Sequence, residues 1–269
     1  MSAISRLSTR AALSSLFLFF LFVPSSAEAA IGIVATTTNS NAGSTAISCT
    51  KPSGTASGDV VLAIINMNAA QNVTDNNGAT PLVRDFRSVN YGTADISVWS
   101  RYAGGSEPAS YAFTAAGSDR WAIECISLRG VDQTNKYDVT PSSSNFSYTG
   151  GAGGTTATST AITTVTDNAF IITTAGVDTG VTTIPSTYPG DSFIKLMQRD
   201  TDQPLATSYK IKSPQGVQSS VNWTYGVTVL PGVTTFAMKP AADPVVNVTS
   251  QFRMLGGLLR ILGGSFTIR

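Results

Sequence analysis

The chain has 269 residues, of which 12% are charged, a formal net charge of +1 and no histidine. Without histidine, Ser-His-Asp and Cys-His catalysis and the usual imidazole zinc sites are excluded, and the near-neutral charge gives no attraction to nucleic acid. So few charges mean that Thr, Ser, Asn and Gly must fill the solvent-facing positions, which is typical of a β-sheet surface.

The first 29 residues are predicted to be a secretory signal peptide. Arg6 and Arg10 precede an apolar run at 11–23, Pro24 ends it, and Ala27-Glu28-Ala29 supplies the small residues of a cleavage site. This run of thirteen residues is too short to span a bilayer. Without Arg6, Arg10 and Glu28, the 17 basic and 16 acidic residues fall to 15 of each. We therefore expect an exported mature protein with a net charge of zero that is secreted, at the cell surface or in a virion.

A pattern of about one hundred residues then occurs twice. Asp59 and Asp167 each precede an apolar strand and lie 108 residues apart, and a turn proline follows each of them by 22 residues, at Pro81 and Pro189. Solenoid repeats run at roughly 20 to 50 residues, so this period indicates a duplicated domain. Helical periodicity is nearly absent before residue 250.

The apolar pattern predicts an all-β fold of two tandem antiparallel β-sandwich domains. The run Val60 to Ile65 is apolar throughout, which favours a strand buried on both faces, whereas Ile96 to Tyr102 alternates as a strand with one wet face does. The first sandwich is predicted at 30–140 and the second at 158–240. The Gly/Ser/Thr-rich segment 141–157 between them is interpreted as a flexible linker.

Cys49 and Cys125 are the only cysteines, and both lie in the first copy. Export would permit a disulfide between them, worth about 4 kcal/mol by loop entropy. The alternative is a pair of buried thiols that act as small hydrophobes.

Three kinds of candidate site remain. Carboxylate pairs for glycoside hydrolysis could come from Glu107, Glu124, Asp200 and Asp202, although Glu124 is expected to face solvent, opposite Trp121, Ile123 and Cys125. Asp200 and Asp202 could also supply oxygen ligands to calcium, as could the turn Asp75-Asn76-Asn77-Gly78. No other cofactor is expected. Aromatic rings that could stack on a sugar, if they are not core residues, are Tyr91, Trp99, Tyr102, Tyr188, Trp223 and Tyr225.

Residues 241–269 form a predicted short, basic, amphipathic C-terminal tail. The tail holds Arg253, Arg260 and Arg269 and no acidic residue after Asp243. It is too short and too charged to span a membrane, so we expect a final strand or frayed helix, an oligomer contact or an interfacial membrane contact. Its apolar residues fall at helical spacing, at Leu255, Leu258, Leu259, Leu262 and Phe266.

The first copy resembles a known kind of module. The runs Gly58 to Ala63, Val98 to Tyr111 and Leu128 to Asp132 look like jelly-roll-like β-sandwich modules of bacterial secreted or cell-surface proteins and of phage tail or virion-associated proteins. The second copy, Thr158 to Pro240, looks like the partner module. The resemblance implies a non-catalytic structural or adhesion role, with other protein subunits or a surface glycan as partners, and it carries over no site residues. The alternatives are a carbohydrate-binding module and, less favoured, a carboxylate-based glycoside hydrolase.

Overall fold

The computed structural model describes residues 30–69, 71–88, 94–148, 153–177, 185–242, 247–248 and 266–267. The predicted signal peptide, Tyr91 and the apolar tail residues Leu255, Leu258, Leu259 and Leu262 lie outside these ranges, and Phe266 is described by its backbone alone. Within them the chain is all-β, and its one helical element is a 3₁₀ turn at Ser143–Asn145. No helix in this part of the chain has the length and apolar character that crossing a membrane requires.

The first half of the chain forms one antiparallel sheet of six strands. Their spatial order is β1-β6-β2-β5-β4, and β3 pairs with β6. The strands are β1 (Gly32–Thr50), β2 (Val60–Met67), β3 (Val73–Asp75), β4 (Val83–Arg87), β5 (Asp95–Tyr102) and β6 (Ser110–Arg129).

The central strand β2 is buried on both faces, which confirms the prediction from its unbroken apolar run. Because successive side chains point to opposite faces, Leu62 and Ile64 lie on one side, and Val61 and Ala63 on the other. Two different apolar clusters therefore pack against this strand.

The long strands β1 and β6 fold back over the first sheet. Their pairing changes register between Asn41 and Ala46, where bulges let paired strands bend. Beyond that point Ile47 and Phe113 pack on the same cluster as Val61 and Ala63. The folded-back halves thus cover the outer face of their own sheet.

The second half of the chain contributes the remaining strands. They are β7 (Tyr137–Val139), β8 (Phe146–Tyr148), β9 (Gly154–Thr158), β10 (Ile162–Thr164), β11 (Ala169–Val177), β12 (Pro185–Thr187), β13 (Ile194–Arg199), β14 (Leu205–Lys212), β15 (Gly216–Gln218), β16 (Asn222–Val229), β17 (Pro231–Met238), β18 (Asn247–Val248) and β19 (Phe266–Thr267).

The second six-stranded sheet has the order β13-β14-β11-β17-β7, and β8 also pairs with β17. This order corresponds to β4-β5-β2-β6-β1 of the first sheet, so the sequence repeat appears as the same arrangement of strands. A three-stranded sheet, β12-β16-β9, covers the outer face of the second sheet. The pairs β10-β15 and β18-β19 form two-stranded sheets.

The inner faces of the two large sheets pack against each other. One continuous apolar cluster includes Leu62 and Ile126 from the first sheet and Phe170, Ile172 and Phe236 from the second. The two copies therefore share a core, in addition to the clusters that each copy buries under its own outer layer. The segment 141–157, interpreted as a linker from its composition, contains β8 and the start of β9. The predicted domain boundaries themselves stay a prediction.

Candidate functional site

Cys49 and Cys125 form a disulfide, which confirms the predicted pairing. Their Cα atoms are 6.2 Å apart, and both residues are fully buried. Cys125 lies on the outer face of the first sheet, and Cys49 lies in the folded-back part of β1. The bridge thus ties the covering layer to the sheet beneath it.

The described aromatic candidates do not form one exposed row. Trp99 and Tyr102 belong to opposite faces of β5, and the Tyr102 hydroxyl donates to the Asp132 carbonyl at 2.8 Å. Trp223 and Tyr225 are buried under the three-stranded sheet, and half-buried Tyr188 packs on Trp223 with ring centroids 5.5 Å apart. The rings of Trp223 and Tyr225 are therefore occupied by core contacts.

The candidate calcium ligands lie in the loop between β13 and β14. Asp202 accepts a hydrogen bond from the Ser40 hydroxyl at 2.7 Å, and Asp200 accepts one from the Gln198 amide at 3.2 Å. In the described ranges no group of three or more His, Cys, Asp or Glu side chains could hold a metal ion. Calcium binding at Asp200 and Asp202 stays a prediction without a third carboxylate to support it.

The sequence Asp75-Asn76-Asn77-Gly78 forms a turn, and its carboxylate stabilises that turn. Asp75 accepts hydrogen bonds from the backbone N–H groups of Asn77 and Leu82, each at 3.1 Å. Gly78 has a φ of 58°, a conformation that glycine adopts without strain. These contacts leave the Asp75 side chain with a structural role.

The candidate acid Glu107 has structural partners as well. Glu107 accepts hydrogen bonds from the Gly104 N–H at 2.7 Å and the Tyr111 hydroxyl at 2.8 Å, and it pairs with Arg101 at 3.1 Å. Burial, and then the hydrogen bond to Glu107, raise the pKa of Tyr111. Tyr111 therefore stays a hydrogen-bond donor to this carboxylate.

The prediction that Glu124 faces solvent is wrong. The side chain does lie opposite Trp121, Ile123 and Cys125, but it is fully buried, because the second sheet covers that face of β6. Its Oε2 contacts the Thr207 hydroxyl of β14. Burial raises the pKa of Glu124 to about 7, against a smaller opposite effect of the Thr207 hydrogen bond.

A groove opens beside the turn at Asp75, over the folded-back layer of the first copy. It consists of two open hollows of about 270 and 490 Å³, and Asn76 lines both of them. The first hollow is lined by Asn39, Asn41, Ser48 and Phe113, among others. The second is lined by Asn72, Asp75, Arg84 and Trp99, among others.

The Arg84 side chain occupies part of the second hollow. Its guanidinium carbon lies 5.4 Å from the centre of the Trp99 ring, a cation–π distance, and Nη1 donates to the Asn72 side-chain oxygen at 3.3 Å. Trp99 is only 5% exposed, so it forms the floor of the hollow and not its wall. Sequence analysis identified Trp99 as a candidate but missed the surrounding asparagines, because Asn is so common in this chain that no spacing distinguishes them.

Comparison with known proteins identified no match: no family model, no curated protein and no solved structure corresponds to this chain.

Proposed function

We propose that this protein is a non-catalytic, exported structural or adhesion protein that acts through surface contacts. The observation that carries the proposal is a set of exposed apolar side chains on strands at sheet edges. Val83 on β4 is 60% exposed and Ile194 on β13 is 56% exposed, and these strands occupy corresponding edges of the two large sheets. Exposed β-branched residues on an edge strand favour association with another chain.

A second set of observations supports the export part of the proposal. Disulfides persist in oxidising compartments and are rare in the cytosol. The Cys49–Cys125 disulfide therefore agrees with export. The predicted signal peptide and the resemblance to secreted or virion-associated modules agree with that location. Surface or virion assembly is accordingly the context that we propose for these contacts.

The non-catalytic part of the proposal is supported by how the buried carboxylates are used. Asp59 pairs with Arg129 at 2.8 Å, Asp95 with Arg87 at 2.6 Å and Glu107 with Arg101 at 3.1 Å. Each of these acids holds strands or turns together. A glycosidase would instead need two acids with separated pKa values on either side of an open cleft.

The test is light scattering on the oxidised protein 30–269 over a range of concentrations. We expect oligomers, and we expect a Val83→Lys, Ile194→Lys variant to shift them toward monomers, because charged residues on edge strands oppose strand pairing. Light scattering on the protein 30–242, which lacks most of the predicted tail, tests whether the tail contributes to the oligomers.

A Thr163→Lys variant is the matched control, because Thr163 is exposed but lies on the short strand β10, which pairs with β15 and belongs to neither large sheet. Monomers at all concentrations for the unmodified protein would contradict the assembly proposal.

A carbohydrate-binding module is the second candidate function, and the groove at Asn76 favours it. Each asparagine amide both donates and accepts hydrogen bonds, as pairs of sugar hydroxyls require, and the planar Arg84 guanidinium offers a flat surface to a ring. Asn39, Asn41, Asn72 and Asn76 line the two hollows. We therefore propose a saccharide of several units as the ligand in this case.

Titration with cello-, malto-, xylo- and chitohexaose tests the groove. We expect Asn76→Ala to weaken binding of the preferred sugar about tenfold, since it removes the hydrogen bonds of a residue that lines both hollows. Asn135→Ala, at an exposed loop position far along the chain, should leave affinity unchanged. Equal affinity of both variants would exclude this groove as the binding site.

A further inference from the structure

Glu124 lies between the two large sheets at a point where both copies contribute polar side chains. On its own sheet it stands opposite Thr38 of β1 and Ile64 of β2. Across the interface it meets Thr207 of β14, which in turn contacts Thr174 of β11. All of Glu124, Thr207 and Thr174 are fully buried. A carboxyl group thus sits inside the shared core, and its hydrogen-bond partner there is a hydroxyl.

The hydrogen bonds around this carboxyl form a chain in which every donor has an acceptor if the acid is protonated. Thr207 Oγ lies 2.9 Å from Thr174 Oγ, and Thr174 Oγ lies 3.2 Å from the Ala206 carbonyl oxygen. A neutral Glu124 can donate to Thr207, Thr207 to Thr174, and Thr174 to Ala206. One proton on the acid therefore completes three hydrogen bonds in a row.

The ionised acid would be much less well accommodated. Thr207 would have to turn its single proton toward the carboxylate, and Thr174 would turn toward Thr207. The carboxylate would then hold one hydrogen bond, because its second oxygen, Oε1, has no partner among the described residues. A buried charge with one neutral donor is strongly destabilising, since nothing replaces its hydration.

Among the residues that the structure describes, no facing side chain is a cation that could compensate such a charge. The facing side chains of β1, β2, β11 and β14 are Thr38, Ile64, Thr174 and Thr207, none of which is charged. The titratable groups on the neighbouring strand β13 and its loops have other partners. Lys195 lies over the Tyr188 ring at 5.1 Å, Tyr188 bonds to Gln198, and Arg199 and Asp202 both bond to Ser40.

Tyr188 and Asp200 are two further titratable groups on this side. Burial, and then the Glu124 and Asp200 carboxylates, raise the pKa of Tyr188, so its hydroxyl stays protonated at neutral pH. Asp200 is exposed and acidic and cannot balance a negative charge. The surroundings of Glu124 from all these elements therefore favour its neutral form.

We propose that Glu124 is a pH-sensitive latch: as a neutral acid it joins the two large sheets through Thr207 and Thr174, and its ionisation in alkaline solution loosens that contact. The direction of the pH dependence follows from the pKa. The pKa of about 7 in the folded protein exceeds the ordinary value of 4.5. The stabilisation is therefore complete below about pH 4.5 and is lost as the pH rises through 7.

The experiment compares thermal unfolding midpoints of the oxidised protein and a Glu124→Gln variant between pH 5 and 9. Glutamine has the shape of the neutral acid and can also donate to Thr207, so the variant should fold. We expect the midpoint of the unmodified protein to fall by about 5 to 10 °C relative to the variant across this range. Parallel midpoint curves would overturn the proposal.

A direct measurement of the proton does not depend on unfolding. Infrared spectra at pH 6 should show the carbonyl stretch of a protonated, buried carboxylic acid, and the band should be absent in Glu124→Gln. The band should disappear from the unmodified protein as the pH approaches 9. A spectrum without this band at pH 6 would show an ionised Glu124 and overturn the latch.

Discussion

Asn66 and Gly176 meet at the interface between the two large sheets. The fully buried Asn66 amide donates to the carbonyls of Val177 at 3.1 Å and Pro204 at 2.8 Å, which joins β2 to the ends of two strands of the second sheet. The amide fits because Gly176 has no side chain there: a Cβ on Gly176 would lie 2.5 Å from the Asn66 side-chain carbon. One residue without a side chain thus allows two sheets to approach and bond.

A Gly176→Ala substitution should therefore destabilise the fold by about 1 to 3 kcal/mol, as overpacking of a core commonly does. The backbone at this position needs no glycine conformation, so the effect would report the lost space alone. The measurement is the free energy of unfolding in urea. Gly105→Ala is the matched control, because an added Cβ there meets nothing within 4 Å. Equal stability of the two variants would contradict this account of the interface.

The burial of Glu124 shows how far a single residue can be predicted from sequence. Alternation along β6 correctly placed it on the face opposite Trp121 and Ile123. Alternation gives the face but not what covers it, and the covering strand, β14, lies some eighty residues away. A glutamate between Ile123 and Cys125 gave no local signal of burial.

At the scale of the elements, the two copies join their layers by different means. In the first, the Cys49–Cys125 disulfide links the sheet to its folded-back cover. In the second, Thr173 of β11 accepts hydrogen bonds from the Thr235 hydroxyl at 3.0 Å and from the Trp223 indole at 3.4 Å. Hydrogen bonds thus join the sheet to its cover in the second copy, as a covalent bond does in the first.

The strands themselves were largely predictable, but their lengths were not. The apolar run of β2 and the alternation of β5 predicted strands because both patterns follow directly from side-chain geometry. The extension of β1 and β6 over 19 and 20 residues depends on bulges, which the sequence does not mark. Trp99 and Tyr209, both in the aromatic strands of the repeat, contact different clusters. Trp99 pairs with Ala63, whose side chain is on the outer face, whereas Tyr209 pairs with Ile172, whose side chain is on the inner face.

At the scale of the whole molecule, the sequence predicted the repeat but could not predict that its two copies pack on each other. Both inner faces are apolar, and that pattern is equally consistent with two separate sandwiches. The order of the six strands in each sheet could not be predicted either, because it depends on pairings between distant segments, for example of β7 with β17. The segment 141–157 was interpreted as a linker because it is rich in Gly, Ser and Thr. These residues also suit short edge strands, so composition alone could not distinguish the two.

The shared core predicts that the protein unfolds in one cooperative transition. Trp99 and Trp121 report on the first copy and Trp223 on the second, and these are the three tryptophans of the chain. In urea, we expect the fluorescence midpoint of a Trp223→Phe variant to match its own far-ultraviolet circular dichroism midpoint, because separation of the sheets would expose the common cluster to water.

A Trp99→Phe, Trp121→Phe variant, in which only the second copy fluoresces, is the complementary measurement. Its fluorescence and circular dichroism midpoints should also coincide. Two separated transitions in either variant would show that each copy is stable without the other.

The segments that follow β6 and β17 meet in an antiparallel bridge between Val131 and Pro240, and the Ala241 N–H donates to the Gly130 carbonyl at 2.8 Å. The Ala30 carbonyl also lies beside Gly130, 3.0 Å from where a Cβ on that glycine would be. The first described residue and the end of the second copy thus emerge side by side. The described body therefore begins and ends at one place, so a partner joined to the chain after residue 241 would lie next to Ala30.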